Sequence, residues 1–245
     1  VKCTAFVTIE RYSYSSPMLS AQIDRLSPKA VAAIVFCIAA LLYVPHAGNS
    51  FIGIDDPGFI TQNPLVAKAT VGSIATAFTG YSKLLYMPVT MVSWQITAMI
   101  DGLNPLWFHL TDIIIHGLVC ALLVMLLLRL GLQKIPALLA VVLFAIHPIH
   151  TEAVLWASSR KDLLAALFSI CSMIAYVTYL QEGDPKKRWW SIGFFAIALL
   201  AKVSVFPLPL AFILLDRLEN RSGLKMQLLD KIPYAIVAVP LSAPG

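Results

Sequence analysis

Two adjacent carboxylates, Asp55 and Asp56, are the first residues in this chain with a chemistry to offer. Pro57 and Gly58 follow them, which places the acids on a turn and not inside a helix. The pair could take a proton from an attacking hydroxyl, or hold a divalent cation that steadies a phosphate leaving group. It could equally be a solvated turn that closes a membrane span. Proline disfavours helical backbone at the residue before it, so Asp56 is expected to be extended and Asp55 is the favoured base. A second polar cluster, His147–Asp162, lies far along the chain. Its Arg160 offers a bidentate fork to phosphate oxygens and Lys161 a point charge; the alternative is snorkelling to lipid head groups. His147, His150 and Glu152 could ligate a metal or hydrogen-bond phosphate and sugar, although His-x-x-His is loose spacing for zinc. Lys202 is an isolated cation between two apolar runs. His109, Asp112 and His116 recur at helical spacing and share one face, a stripe expected to pack against other helices.

The elements that must position these groups are membrane helices. Of 245 residues, 59% are hydrophobic and only 13% charged, roughly half the charge of an ordinary soluble domain. The apolar residues fall in blocks about one bilayer long. The expected fold is all-α and polytopic, with about seven spans: 29–44, 106–130, 135–146, 163–180, 189–201, 203–215 and a last one from about Ile232. Residues 189–215 could also be one tilted helix; two short spans turning near Lys202 are preferred because both flanks are basic. Residues 1–28 read as a cytoplasmic N-terminal segment and 29–245 as a truncated membrane domain, since the chain opens without Met and stops inside an apolar run. Pro88–Ile100 is apolar but short and suits a helix lying in the interface. Trp94, Trp107 and Trp156 suit the aromatic belt. Cys37, Cys120 and Cys171 lie inside apolar runs, and with Cys3 they show no metal-like spacing; small core positions are expected.

Charge sets the orientation. The net charge of +5 needs no nucleic-acid partner, because basic residues gather in short cytoplasmic loops. With the N-terminus inside, five of the eighteen Lys and Arg fall outside: Lys68, Lys83, Arg160, Lys161 and Lys202. They share that side with Asp55, Asp56, His147, His150 and Glu152, within an outside loop 45–104 and the loop 147–162. Cations and carboxylates together at one membrane face mark a candidate site.

Four segments in the same order carry a family resemblance: IDDPGFITQNPLV, YMPVT, GLNPLWFHLTDIIIHGLV and LFAIHPIHTEAVLWASSRKDLLAALF. Across roughly residues 50–216 the chain resembles the membrane half of the tetratricopeptide-repeat membrane glycosyltransferases. That family includes the eukaryotic transmembrane-and-TPR protein O-mannosyltransferases and bacterial relatives. The resemblance implies a GT-C-like helical bundle and an inverting transfer of a sugar, such as mannose, from a polyprenyl-phosphate donor to a protein hydroxyl at the outer membrane face. The membrane would be the bacterial inner membrane or the endoplasmic reticulum. It maps an acidic pair of the first outside loop onto Asp55 and Asp56, and a lipid-facing basic motif onto Arg160, Lys161 and Asp162. It assigns no cofactor, so the divalent cation that Asp55 and Asp56 could hold stays an open alternative. Met87 and Asp112 depart from the family, where Arg and Asn are frequent. The rival readings are a transporter or channel whose path is lined by Asp112, His116 and Lys202, and a non-catalytic membrane anchor of a repeat protein.

Overall fold

The computed structural model describes residues 22–79, 85–219 and 223–242. Cys3, Lys83 and most of the segment 1–28 lie outside the described residues. Among the described residues every regular element is helical and no β-strand occurs.

Helix starts follow one local rule. A short polar residue caps the helix and proline takes its first position, at Ser27–Pro28, Asn63–Pro64, Asn104–Pro105 and Asp184–Pro185; each capping side chain accepts from a backbone N–H two or three residues on. The cap satisfies an orphan donor, and proline brings a pre-set φ where its missing N–H costs nothing. Helices α1 (Pro28–Tyr43), α2 (Pro64–Ala67), α3 (Pro88–Asp101), α4 (Pro105–Arg129), α5 (Lys134–Ile146), α6 (His150–Leu155) and α7 (Arg160–Glu182) come first. They are followed by α8 (Pro185–Ala201), α9 (Leu208–Leu218), α10 (Leu224–Leu229) and α11 (Ile232–Ser242). Gly183, at φ 70°, ends α7 in the left-handed conformation and lets the chain reverse into α8.

Among the described residues three helical segments are long and apolar enough to cross a membrane: Pro28–His46, Pro105–Arg129 and Ala157–Glu182. Lys134–Ile146 is apolar but shorter. At 1.5 Å per residue its 13 residues reach about 20 Å, against roughly 30 Å of bilayer hydrocarbon. The split expected near Lys202 is present: α8 ends at Ala201, Lys202 is extended (φ −157°, ψ 119°), and α9 starts only at Leu208.

The bundle is built on α1–α4, α4–α7 and α7–α8 packing. Gly117 of α4 lies against Phe36 of α1, where an added Cβ would come within 2.8 Å of the ring. Outward faces carry Ile34, Leu41, Leu139, Leu143, Trp189 and Leu214. Cys120 is buried but Cys37 is exposed, which corrects its expected core position: it falls on the outward face of α1, beside Ile34 and Ile38.

The short helix α3 is not a surface helix on all sides. Trp94, Gln95, Thr90 and Thr97 are all buried, so Trp94 is a core anchor and not a belt residue. Its indole N–H donates to Ala157 O at 3.1 Å. Thr90 donates to Ala201 O at 3.0 Å, and Gln95 donates to Leu65 O and Ser73 O, each at 3.1 Å. Three separate segments therefore hang from one helix.

Candidate functional site

The site forms where the segment before α2 meets the turn before α7. Residues 53–55 make a turn, and Pro57–Thr61 wind into one π-helical turn, an irregular element not expected from the sequence. The carbonyl of Asp55 accepts from the N–H groups of Gly58 and Phe59, both at 3.0 Å. Asp56 is helical, at φ −55° and ψ −38°, which corrects the extended conformation expected before Pro57. The physical reason is its carboxylate, fully buried and held from two sides. One oxygen accepts from Ile52 N–H at 2.7 Å; the other accepts from Ser158 N–H at 2.9 Å and from the Ser158 hydroxyl. Charge-assisted bonds of this kind contribute about 1.5–3 kcal/mol each, enough to override a local backbone preference. Asp56 thus ties two loops that are 102 residues apart in sequence.

Around this tie stand the groups that reach the surface. Asp55 is half-buried. Lys161 is half-buried, donates to Ser158 O at 2.9 Å and lies 5.3 Å from the centre of the Phe59 ring. It sits in the electrostatic field of Asp162, Lys202, Asp55 and Asp56. Lys202 pairs with Asp162, and both side chains stay about one-third exposed. Lys202 owes its place to the break after α8, which Thr90 fixes through Ala201 O.

Arg160 and Lys161 part company. Neighbours on a helix do not face the same way, and Arg160 points into the protein with no exposed surface. Its Nε donates to Asp112 at 2.5 Å. One terminal nitrogen donates to Ser93 O, Ser93 Oγ and Thr97 Oγ1, and the other to Phe108 O at 2.9 Å. Sequence reasoning missed this pairing. The signal was present in Asp112, an acid in the middle of an apolar helix that needs a counter-charge. The second oxygen of Asp112 has no hydrogen bond, and neither ring nitrogen of His109 makes one of ordinary geometry; the backbone of Asn49 and Ser50 lies beside the His109 ring. Asp56, His109, Asp112 and Arg160 form a buried polar layer directly beneath the exposed group.

His147, His150 and Glu152 stand apart from this centre. His147 and Glu152 are exposed. The His150 ring packs 4.1 Å from Phe144 and 5.9 Å from His116, between α4 and α5. Burial, and then the charge of His147, lower the His150 pKa from its ordinary value. Trp107 donates to Asp101 at the surface. Among the described residues no three His, Cys, Asp or Glu side chains converge as metal ligands.

Curated relatives align over most of the described chain. The human protein O-mannosyl-transferase TMTC4 is 26% identical over 219 residues, covering 76% of this chain and 30% of that protein. Human TMTC1 is 31% identical over 172 residues, covering 64% and 19%. Drosophila melanogaster Tmtc2 is 31% identical over 210 residues, covering 77% and 22%. The chain therefore spans less than a third of the length of these relatives. No family model matches it, and no solved structure does.

Proposed function

We propose that this homologue of the transmembrane-and-TPR protein O-mannosyltransferases is the membrane part of a glycosyltransferase of the GT-C type. In this reading it moves a sugar, mannose by analogy with the relatives' names, from a polyprenyl-phosphate donor to a protein hydroxyl. The chain would cross the membrane several times, with Asp55, Lys161 and Lys202 at the outer face. One observation carries the reading: Asp56 draws the acidic loop onto the turn that presents Lys161, so acid and cation stand at one mouth.

The chemistry follows from what each group can reach. Asp55 takes the proton of the acceptor hydroxyl. The freed oxygen attacks the anomeric carbon, the bond from that carbon to the phosphate oxygen breaks, and the electron pair leaves with the polyprenyl phosphate. Attack opposite to the leaving group inverts the anomeric centre. Lys161, with Lys202 beside it, stabilises the negative charge gathering on the phosphate. Arg160 acts as a positioning residue, because its donors are engaged by Asp112, Ser93, Thr97 and Phe108. Asp56 holds the loop and is not the base, since both of its oxygens accept protein donors. The same bonds make Asp56 a poor divalent-cation ligand, and the proposed step needs only side chains. His150 packs on Phe144 and His116, and His147 and Glu152 are exposed, so the three suit a rim where an acceptor chain would lie.

A sugar-transfer assay on the full-length protein in membranes, with a polyprenyl-phosphate-linked mannose donor and a peptide acceptor, tests this. Asp55→Asn removes the charge and keeps the size. The expected loss is about 100- to 10,000-fold in turnover with unchanged membrane insertion. Wild-type turnover in Asp55→Asn, Asp56→Asn and the double variant would leave the chain as an anchor, and a solute flux lost in these variants would make it a transporter.

A further inference from the structure

The end of the bundle opposite to Asp56 carries an open groove of about 360 Å³ between α4, α7 and α8. Its wall is apolar, built from Leu122, Cys171, Ile174 and Phe194, and its rim carries Arg129, Glu182 and Lys187. The helix directions fix its depth. Cys171 and Leu122 lie near the middle of their helices, while Arg129 and Glu182 end theirs and Lys187 opens α8. The groove therefore runs from the core of a bilayer to one of its faces. Trp189 and Trp190 beside it are about two-thirds exposed, as interfacial tryptophans are.

We infer that this groove binds one anionic glycerophospholipid of the adjoining leaflet, its acyl chain along the apolar wall and its phosphate at Arg129 and Lys187. Charge complementarity selects this occupant. The rim holds two cations against one carboxylate. Glu182 lies 3.6 Å from Arg129, which also donates to Thr178 at 2.5 Å. Lys187 is half-buried and stands at the N-terminal turn of α8 with Lys186 next to it. Basic pockets between membrane helices at a bilayer face attract anionic head groups, while a zwitterionic lipid brings its phosphate with a compensating cation and gains less. The volume lies within the roughly 300–1,000 Å³ of ordinary ligand pockets. The site is remote from the proposed sugar-transfer centre and does not depend on it.

Lipid binding to the full-length protein in detergent, followed by native mass spectrometry, tests this with phosphatidylglycerol and phosphatidylcholine as probes. Wild type should retain phosphatidylglycerol in preference to phosphatidylcholine. Lys187→Gln should bind phosphatidylglycerol about fivefold more weakly. Ala175→Trp should abolish the preference by filling the groove, and it serves as the second variant beside any charge change at Arg129 that fails to fold. Equal retention of the two lipids, or a wild-type preference in both Lys187→Gln and Ala175→Trp, would overturn the inference. So would displacement of bound phosphatidylglycerol by equimolar polyprenyl phosphate, which would assign the groove to the donor's tail.

Discussion

Arg160→Met should destabilise this protein more than any charge removal at its surface. Arg160 and Asp112 are both fully buried, and their Nε–Oδ1 distance is 2.5 Å. Without the guanidinium the carboxylate has no counter-charge, and breaking such a pair costs about 3–5 kcal/mol. The acceptors at Ser93, Thr97 and Phe108 also lose their donors, and a buried acceptor left unsatisfied costs about 1–3 kcal/mol. A total near 5 kcal/mol approaches the whole stability of many domains, about 5–15 kcal/mol. Asp112→Asn in the same chain removes the stranded charge. The double variant should then recover about 2 kcal/mol relative to Arg160→Met alone, a coupling that a double-mutant cycle isolates. The assay is equilibrium unfolding of the detergent-solubilised protein, with the folded fraction read by size-exclusion chromatography. A cost below about 1 kcal/mol for Arg160→Met, or strict additivity in the double variant, would refute the idea that this pair carries the fold beneath the site.

Lys161→Ala gives the contrasting result. Its amine has one protein acceptor, Ser158 O, so unfolding should shift by no more than about 1 kcal/mol. Apparent affinity for the polyprenyl-phosphate donor should fall by roughly 10- to 150-fold, the loss of one charge-assisted contact; a binding titration that matches wild type would refute the role. Gly117→Leu drives a side chain into Phe36, and overpacking of this kind costs about 1–3 kcal/mol. Its unfolding midpoint should fall, with partial recovery on adding Phe36→Ala; no recovery would mean that the α1–α4 contact is not the cause.

The helical class was legible from composition, but the starts of α7 and α8 were expected at 163 and 189 and lie at Arg160 and Pro185, because a helix begins with its polar first turn, at Arg160 or at the Asp184 cap and Pro185, before its apolar run does. The break at Lys202 was legible from the charge of its flanks. The partners of Arg160 were not. Reading Arg160–Lys161 as one basic motif ignored the turn of about 100° between neighbours on a helix, which sends one into the core and leaves the other at the mouth. Asp56 defeated the rule for residues before proline because three donors from distant or looped segments converge on it, and no local window contains them. Trp94 looked interfacial because its helix is short, yet its neighbours Gln95 and Thr97 are polar groups that find buried partners. Seven crossings were expected from seven apolar runs; among the described residues three helical segments meet the length and hydropathy of a crossing, and the other apolar runs form shorter helices.

The bonds that α3 makes to its surrounding loops have a property of their own. Those from Thr90, Trp94 and Gln95 all end on main-chain oxygens, of Ala201, Ala157, Leu65 and Ser73. A carbonyl is the same whatever side chain accompanies it. At the half-buried Leu65 and Ser73 a change of side chain leaves the bond in place, whereas Ala157 and Ala201 are fully buried and admit no larger side chain, and mutation at the three donors severs the bonds outright. Variation can therefore accumulate in the segment of Leu65 and Ser73 without disturbing its placement, while a single short helix keeps the frame. A protein so arranged can alter the side chains along that segment and need never redesign the hinge from which it hangs.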